Sequence, residues 1–330
     1  MNDHLLRNYT LDLVRATEQT ALAAGRWSGL GNRQEADRVA TEVMYIWLNR
    51  ISMDGTIAVS ERPRLGQETI LASGRKVGNG DGPVMDVVVD AVDGVGLLVE
   101  GQPGAISAVC MLPAGHLWKP TQATYMEKIV VNRAVGAALV PECMDAPAAW
   151  TLALIARVVG KSVRDLVVFV LDRPRHHSLI EDIRRAGARA QIHHDGDVAG
   201  ALLAASPQSK VDVLMGVGGF SEGVLAACAV RTMGGAMLGR MAAMNEAEKK
   251  NLKAQGYDTD QILTEREIVS TDQIYFAATG VTDGMLLNGV SFQGNWAHTH
   301  SMMIRGETGV RRIILTEHLL EDDAAKVRNG

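Results

Sequence analysis

Asp90 and Asp93 are the residues whose type and spacing first point to chemistry. They close the stretch Val84 to Gly96, VMDVVVDAVDGVG, whose opening residues have the apolar, β-branched composition of a buried strand. Two carboxylates three residues apart at a strand end can hold a hard divalent cation if a turn brings them together. Gly94 lets the backbone turn sharply there and offers N–H groups to an anion. Carboxylates, a cation and anion-facing amides would make a phosphate-ester site. The alternative is a strand followed by an ordinary Asp-Gly turn.

Three other strand ends carry polar clusters, and in open parallel sheets ligands gather at such ends. The strand Leu166 to Leu171 runs into Asp172-Arg173-Pro174-Arg175-His176-His177. Two guanidinium forks fixed around a proline match phosphate oxygens, or else they decorate a solvated turn. The strand Ala188 to His193 runs into His194-Asp195-Gly196-Asp197, which is either a turn and helix cap or a set of acceptors for sugar hydroxyls. Its acid series is too short for an EF-hand calcium loop. The strand Val211 to Met215 runs into Gly216-Val217-Gly218-Gly219-Phe220-Ser221-Glu222-Gly223, a glycine-rich loop able to cradle phosphate. A dinucleotide-binding oxidoreductase is another reading of that loop. However, Ser221 stands where the third glycine of G-x-G-x-x-G belongs. Glu222, at a helix N-terminus, is a dipole complement or a metal ligand. His298 and His300 have no third ligand in view and read as structural.

The elements that position these clusters follow from periodicity. Leu6, Tyr9, Leu13 and Ala16 predict a helix over residues 4–25. Ala36, Val39, Ala40, Val43, Met44 and Trp47 predict a second helix, with Asp37 in its first turn complementing the dipole. A short strand, Thr56 to Val59, delivers Glu61, and the turn cluster Gly78 to Pro83 precedes the central strand. Ala105 to Leu112 and Tyr125 to Val131 read as strands, and Ala148 to Val159 as a helix. Beyond it, strands alternate with the helices Ser178 to Ala186, Val198 to Ala205 and Gly223 to Met233. That rhythm predicts a parallel sheet covered on both faces. The expected organisation is an α+β metal-binding subdomain over residues 1–160 and an α/β substrate-binding subdomain over residues 161–330, with strands from about residue 270 returning to the first sheet.

Composition narrows the function classes. The 330 residues are 47% hydrophobic and 22% charged, enough for two layered cores in a globular protein. A net charge of −5 without a basic block argues against nucleic acid and anionic membrane surfaces as partners. No apolar run of membrane-spanning length and no leader-like N-terminus is present, so a cytoplasmic location is the expectation. Cys110, Cys143 and Cys228 are widely spaced in apolar or small-residue surroundings and read as buried thiols rather than a disulfide or zinc framework.

Taken together, the chain resembles the class II fructose-1,6-bisphosphatases, a bacterial branch of the lithium-sensitive, metal-dependent sugar and inositol phosphatases. The resemblance runs through Ala36-Asp37, Asp90-Ala91-Val92-Asp93-Gly94, Tyr125-Met126-Glu127-Lys128, Arg173-Pro174-Arg175-His176 and Asp195-Gly196-Asp197-Val198-Ala199. It is completed by Gly218-Gly219 with Glu222-Gly223 and by Ala278-Thr279-Gly280-Val281-Thr282-Asp283-Gly284. It implies a layered α/β/α sandwich of two subdomains with the sugar-phosphatase fold. It implies Mg²⁺ or Mn²⁺ held by Asp37, Glu61, Asp90, Asp93 and Glu222, with Asp90, Asp93 and Glu61 at the reacting centre. It implies sugar-phosphate contacts from Asp93, Gly94, Val95, Tyr125, Arg173, Pro174, Arg175, Asp195, Gly196, Asp197 and Gly219. The chemistry implied is hydrolysis of the 1-phosphate of a ketose bisphosphate by a homodimer or homotetramer.

Two departures from the resembled pattern bear on activity. The signature at the central strand is Asp-Pro-x-Asp/Glu-Gly-Thr, and here Ala91 replaces the proline and Val95 the threonine. In the family that hydroxyl helps orient and deprotonate the attacking water, and valine keeps its shape without its oxygen. At Ser60-Glu61-Arg62-Pro63 the family has Gly-Glu-Gly-Glu, so one glutamate is kept while Arg62 brings a cation towards the metal site. These changes fall on the catalytic side, and the sugar-phosphate contacts are largely intact. A weakened relative that binds sugar phosphate is therefore the alternative expectation.

Overall fold

A computed structural model describes residues 9–59, 69–120 and 124–320. Helices α1 (Tyr9–Gly25) and α2 (Arg33–Leu48) precede β1 (Asp54–Val59), β2 (Lys76–Val77) and β3 (Val84–Asp93). A short α3 (Val95–Val99) leads to β4 (Ile106–Pro113) and β5 (Tyr125–Val131). Next come α4 (Ala148–Val159), β6 (Val167–Leu171), α5 (His177–Arg185), β7 (Arg189–His193) and α6 (Asp197–Ala205). The chain continues through β8 (Val213–Gly219), α7 (Phe220–Met233), β9 (Ala236–Ala242), α8 (Glu246–Ala254), β10 (Leu263–Thr264) and α9 (Glu265–Ile268). It ends in β11 (Tyr275–Gly280), β12 (Ser291–Gln293), β13 (Trp296–Arg305) and β14 (Val310–Leu319).

The strands form two sheets. The first has the order β12-β13-β11-β4-β3-β1-β2, with β14 also paired to β13, and the second has the order β10-β9-β5-β8-β6-β7. Strand β11 pairs antiparallel with β4, so the last strands of the chain belong to the first sheet. In the second sheet β6 is parallel to β7 and β8, as strand–helix alternation requires. The sheet is nevertheless mixed, because β5 runs antiparallel to both β8 and β9. Its position explains this departure from the expected parallel sheet. Strand β5 arrives from the first sheet rather than through a β-α-β crossover, and so nothing imposes the parallel sense.

Helices and sheets alternate in layers. The apolar faces of α1 and α2 (Leu13, Ala40, Met44) pack with Val87 and Val89 on one side of β3. Val88, between them in sequence, turns to the other side, where α6 and α7 fill the space between the two sheets. Helices α4 and α5 cover the far face of the second sheet through Leu152, Ile155 and Ile183. The central helices are buried all round, from Val198 to Ala205 and from Val224 to Val230. Small residues let the sheets close on them. A β-carbon at Gly200 would lie 2.5 Å from the Phe169 ring, and one at Gly223 would lie 2.6 Å from Met126 Sδ. The three cysteines are free and buried. Among the described residues no helix is long and apolar enough to cross a membrane.

Candidate active site

The site is built on a bulge. In β3, Asp90 lies opposite Ala108 and Asp93 opposite Ile106, so Ala91 and Val92 together face the single residue Ser107. Residues three apart in a regular strand point to opposite faces, and one extra residue cancels that alternation. Ala91 and Val92 both join the α1–α2 side of the core. Asp93 is thereby turned to the α6 side, where its Oδ2 accepts the Ala199 N–H at 2.8 Å. A bulge, rather than the turn expected from sequence, relates the two acids. The turn comes one residue later, at Gly94, whose φ of 94° is left-handed and suits glycine.

Asp93 sits in an anionic environment. Its carboxyl is pushed well above the usual carboxylate range, first by burial and then by Glu222, with smaller contributions from Asp195 and Asp197. The Ala199 N–H works in the other direction. Glu222, in the first turn of α7, accepts the Gly219 N–H at 2.7 Å and so caps its own helix. Asp195 accepts a long hydrogen bond of 3.4 Å from the Gly96 N–H. Asp197, at the start of α6, is ion-paired with the fully buried Lys128 of β5.

That pair explains the glycines. Gly216 to Gly219 are not a loop, as the spacing suggested, but the last residues of β8, and α7 begins directly at Phe220. A β-carbon at Gly218 would fall 1.8 Å from Asp197 Oδ2 and 2.6 Å from Lys128 Nζ. One at Gly216, where φ is 136°, would fall 2.9 Å from His176 Nε2. The run therefore makes room for side chains from neighbouring elements.

Two arginines line the adjoining strand end. Arg173 Nη1 donates to the carbonyls of Asp172 (3.0 Å) and His194 (2.5 Å), and its Nη2 lies 3.4 Å from Asp195 Oδ1. Arg175 donates from Nε and Nη2 to the Val217 carbonyl at 3.1 and 2.7 Å, and its guanidinium lies 5.3 Å from the Tyr125 ring centroid. Arg173 precedes, and Arg175 lies within, a single 3-10 turn that Pro174 opens. His176 then ties this turn to β8. Its Nδ1 donates to the Leu171 carbonyl at 2.8 Å while Nε2 accepts the Val217 N–H at 2.8 Å, which requires the neutral imidazole.

Burial lowers the pKa of His176 from 6.5, and the same cause acts on His193 and His300. Below 6.5 the unfolded chain binds protons that the folded chain refuses, so stability falls as pH drops through the window beneath 6.5. Asp93 acts in the opposite sense above 3.8, because its folded form holds the proton longer. Urea unfolding across this range should show a smaller acid-side loss in His176→Gln than in the natural protein. Equal losses would remove His176 from the account.

The structure thus brings together Asp93, Asp195, Asp197, Glu222, Arg173, Arg175 and Tyr125, with Gly94, Val95, Gly196 and Gly219 at their turns. Asp37 lies on the exposed side of α2, and Glu35 rather than Asp37 occupies that helix's first turn. Asp90 is half-buried on β3. Glu61 and its neighbours Ser60, Arg62 and Pro63 lie outside the described residues. Among the described residues no group of three or more His, Cys, Asp or Glu side chains converges as a ready metal site. Sequence reading gave no role to Lys128 or His176, although both stood inside quoted motifs. The available signal was a lysine within the strand-like run Tyr125-Met126-Glu127-Lys128-Ile129-Val130-Val131.

Comparison with known proteins agrees with this architecture. The family model described as bacterial fructose-1,6-bisphosphatase, glpX-encoded, matches residues 7–318. A fructose-1,6-bisphosphatase class 2 of Haemophilus influenzae is 37% identical over 338 aligned positions, covering 98% of this chain and 99% of its own. Fructose-1,6-bisphosphatase 1 class 2 of Escherichia coli K12 and its counterpart in Escherichia coli O6:H1 are each 34% identical, covering 96% of both chains. A match across nearly the whole length, with identity above one third, places this chain in the bacterial class 2 fructose-1,6-bisphosphatase family, whose members are metal-dependent phosphatases.

Proposed function

We propose that this protein hydrolyses the 1-phosphate of fructose 1,6-bisphosphate, or of a closely related sugar bisphosphate, with Mg²⁺ or Mn²⁺. The observation that carries the reading is the meeting of two unlike groups. The acids Asp93, Asp195, Asp197 and Glu222 gather at the ends of β3, β7 and β8, beside the cationic pair Arg173 and Arg175. In this reading Asp37, Glu61, Asp90, Asp93 and Glu222 would hold the cation, and Asp90, Asp93 and Glu61 belong to the reacting end. All five are oxygen donors, the type a hard divalent ion prefers. The negative charge crowded on buried Asp93 is what such an ion offsets. When bound, the cation would neutralise phosphoryl oxygens and acidify a water.

The chain's own residues supply binding and orientation. Arg173 and Arg175 would clamp the distal phosphate as charge-assisted donors. The Tyr125 ring and the Val217 carbonyl already fix the direction of Arg175. Asp195 and Asp197 would accept from sugar hydroxyls, and Gly94, Gly196 and Gly219 keep the backbone close to the ligand. Val95 contributes shape alone. The enzyme would be a cytoplasmic homo-oligomer acting on a small molecule.

One observation favours a second reading, a weakened enzyme that mainly binds sugar phosphate. Val95 is buried with the outer core and offers no hydroxyl at the head of α3. Phosphate release from fructose 1,6-bisphosphate with Mn²⁺ or Mg²⁺, compared with Val95→Thr, tests both. We expect measurable release by the natural protein and a rise in the variant, at most about 10²–10⁴-fold, the usual worth of a placed proton-transfer group. An unchanged rate removes the second reading. Silence from both proteins on every bisphosphate tried removes the first.

A further inference from the structure

Strand β14 is ten residues long and pairs with β13 along its full length. Among the described residues it has no neighbour on its other edge. On its even-numbered face Ile314 packs against the α1–α2 side of the core, and Thr316 Oγ1 donates to Glu18 Oε1 of α1 at 2.6 Å. The odd-numbered face is different. Ile313, Leu315 and Leu319 are 52%, 76% and 62% exposed, an apolar row on an open strand edge. Edges of this kind pair with other chains unless charge, proline or a bulge blunts them.

We infer that β14 pairs with β14 of a second copy of this chain, antiparallel about a two-fold axis at Ile314, joining the two first sheets into one. The register follows from the side chains. Opposed residues of an antiparallel pair share a face, so the axis must pass through a residue position for apolar to meet apolar. Centred on Ile314, Ile313 lies opposite Leu315, and Arg311 lies opposite Glu317, each twice by symmetry. Centred on Leu315, Ile313 would face Glu317 and Arg311 would face Leu319. Centred on Ile313, Arg311 would face Leu315, and centred on Thr316, Leu315 would face Glu317. Of these registers only the one at Ile314 matches both charge and apolarity. Among the described residues neither Arg311 nor Glu317 makes an ion pair within the chain, which leaves both for that match.

Sedimentation velocity of the full chain over a concentration series tests the pairing. The natural protein should be a dimer or a multiple of one. Arg311→Glu and Glu317→Arg each place like charges opposite one another twice, and should raise the dimer dissociation constant by about 10-fold or more. Combining the two reversals restores the opposition and should return the constant to its natural value. Circular dichroism of the singles should match the natural protein, because both positions are on the surface. Recovery in the double variant is specific to this register. A natural protein that stays monomeric, or an oligomer indifferent to both reversals, overturns the inference.

Discussion

Asp93→Asn should cost about 10²–10⁴-fold in turnover while making the cation-free protein more resistant to urea. The two effects have one origin. Asp93 is buried beside Glu222, with Asp195 and Asp197 adding to the same negative field, and its carboxyl is held well above the usual range. The folded state therefore favours the protonated form, and at neutral pH ionisation works against folding. Asparagine keeps the shape and can still accept the Ala199 N–H through its carbonyl oxygen, but it carries no charge. Its stability gain should fade when Mg²⁺ or Mn²⁺ is added, since the ion offsets the repulsion in the natural protein alone. Urea midpoints with chelator and with metal, beside phosphate release, measure all three quantities. A variant that is inactive and also less stable in chelator would show that Asp93 supports the fold rather than straining it. Natural active sites commonly carry stability costs of this kind.

Lys128→Met is the second large effect, and it lies outside the expected ligand residues. Lys128 is fully buried and its ammonium is paired with Asp197, itself 4% exposed. Removing one member of a buried pair leaves the other charge without compensation, at a cost of about 3–5 kcal/mol. Replacing both members, as Lys128→Met with Asp197→Leu, should recover most of that loss, because an apolar pair avoids the desolvation penalty. Urea unfolding of the two variants gives the comparison. A double variant as unstable as the single one would mean that the backbone around Gly218, and not the charge, needs the pair. Activity should not return in the double variant, for Asp197 is also assigned to sugar binding.

Much of this architecture is written in local patterns. The continuous apolar run before Asp90, the alternation of strand and helix from Leu166 to Met233, and the small-residue helices all follow from burial on one face or two. Strand β9 was not anticipated. Ala236-Met237-Leu238-Gly239-Arg240-Met241-Ala242 shows neither clean alternation nor β-branched residues, and it becomes a strand because β5 pairs with it. The sense of β5 was also hidden, since direction is set by where a strand comes from. At the site, acids and arginines were legible by type and spacing. What was not legible is contact across elements: Lys128 beneath Asp197, His176 against Gly216, and the bulge that turns Asp93 inward. Each depends on pairing between stretches far apart in sequence, where local periodicity carries no information. Glycines marked those places, but as room for a neighbour rather than as a loop.

The order of strands in the first sheet has a consequence for synthesis. Strand β4 meets its second partner, β11, only after the whole second sheet and the middle helices have emerged. Until then the edge of β4 is open, and the inner face of the first sheet waits for α6 and α7. The sheet begun by the N-terminal half is thus completed only by residues from the second half. Pairing of this sequence separation is the kind that closes slowly, because the loop must be ordered before the contacts that reward it can form.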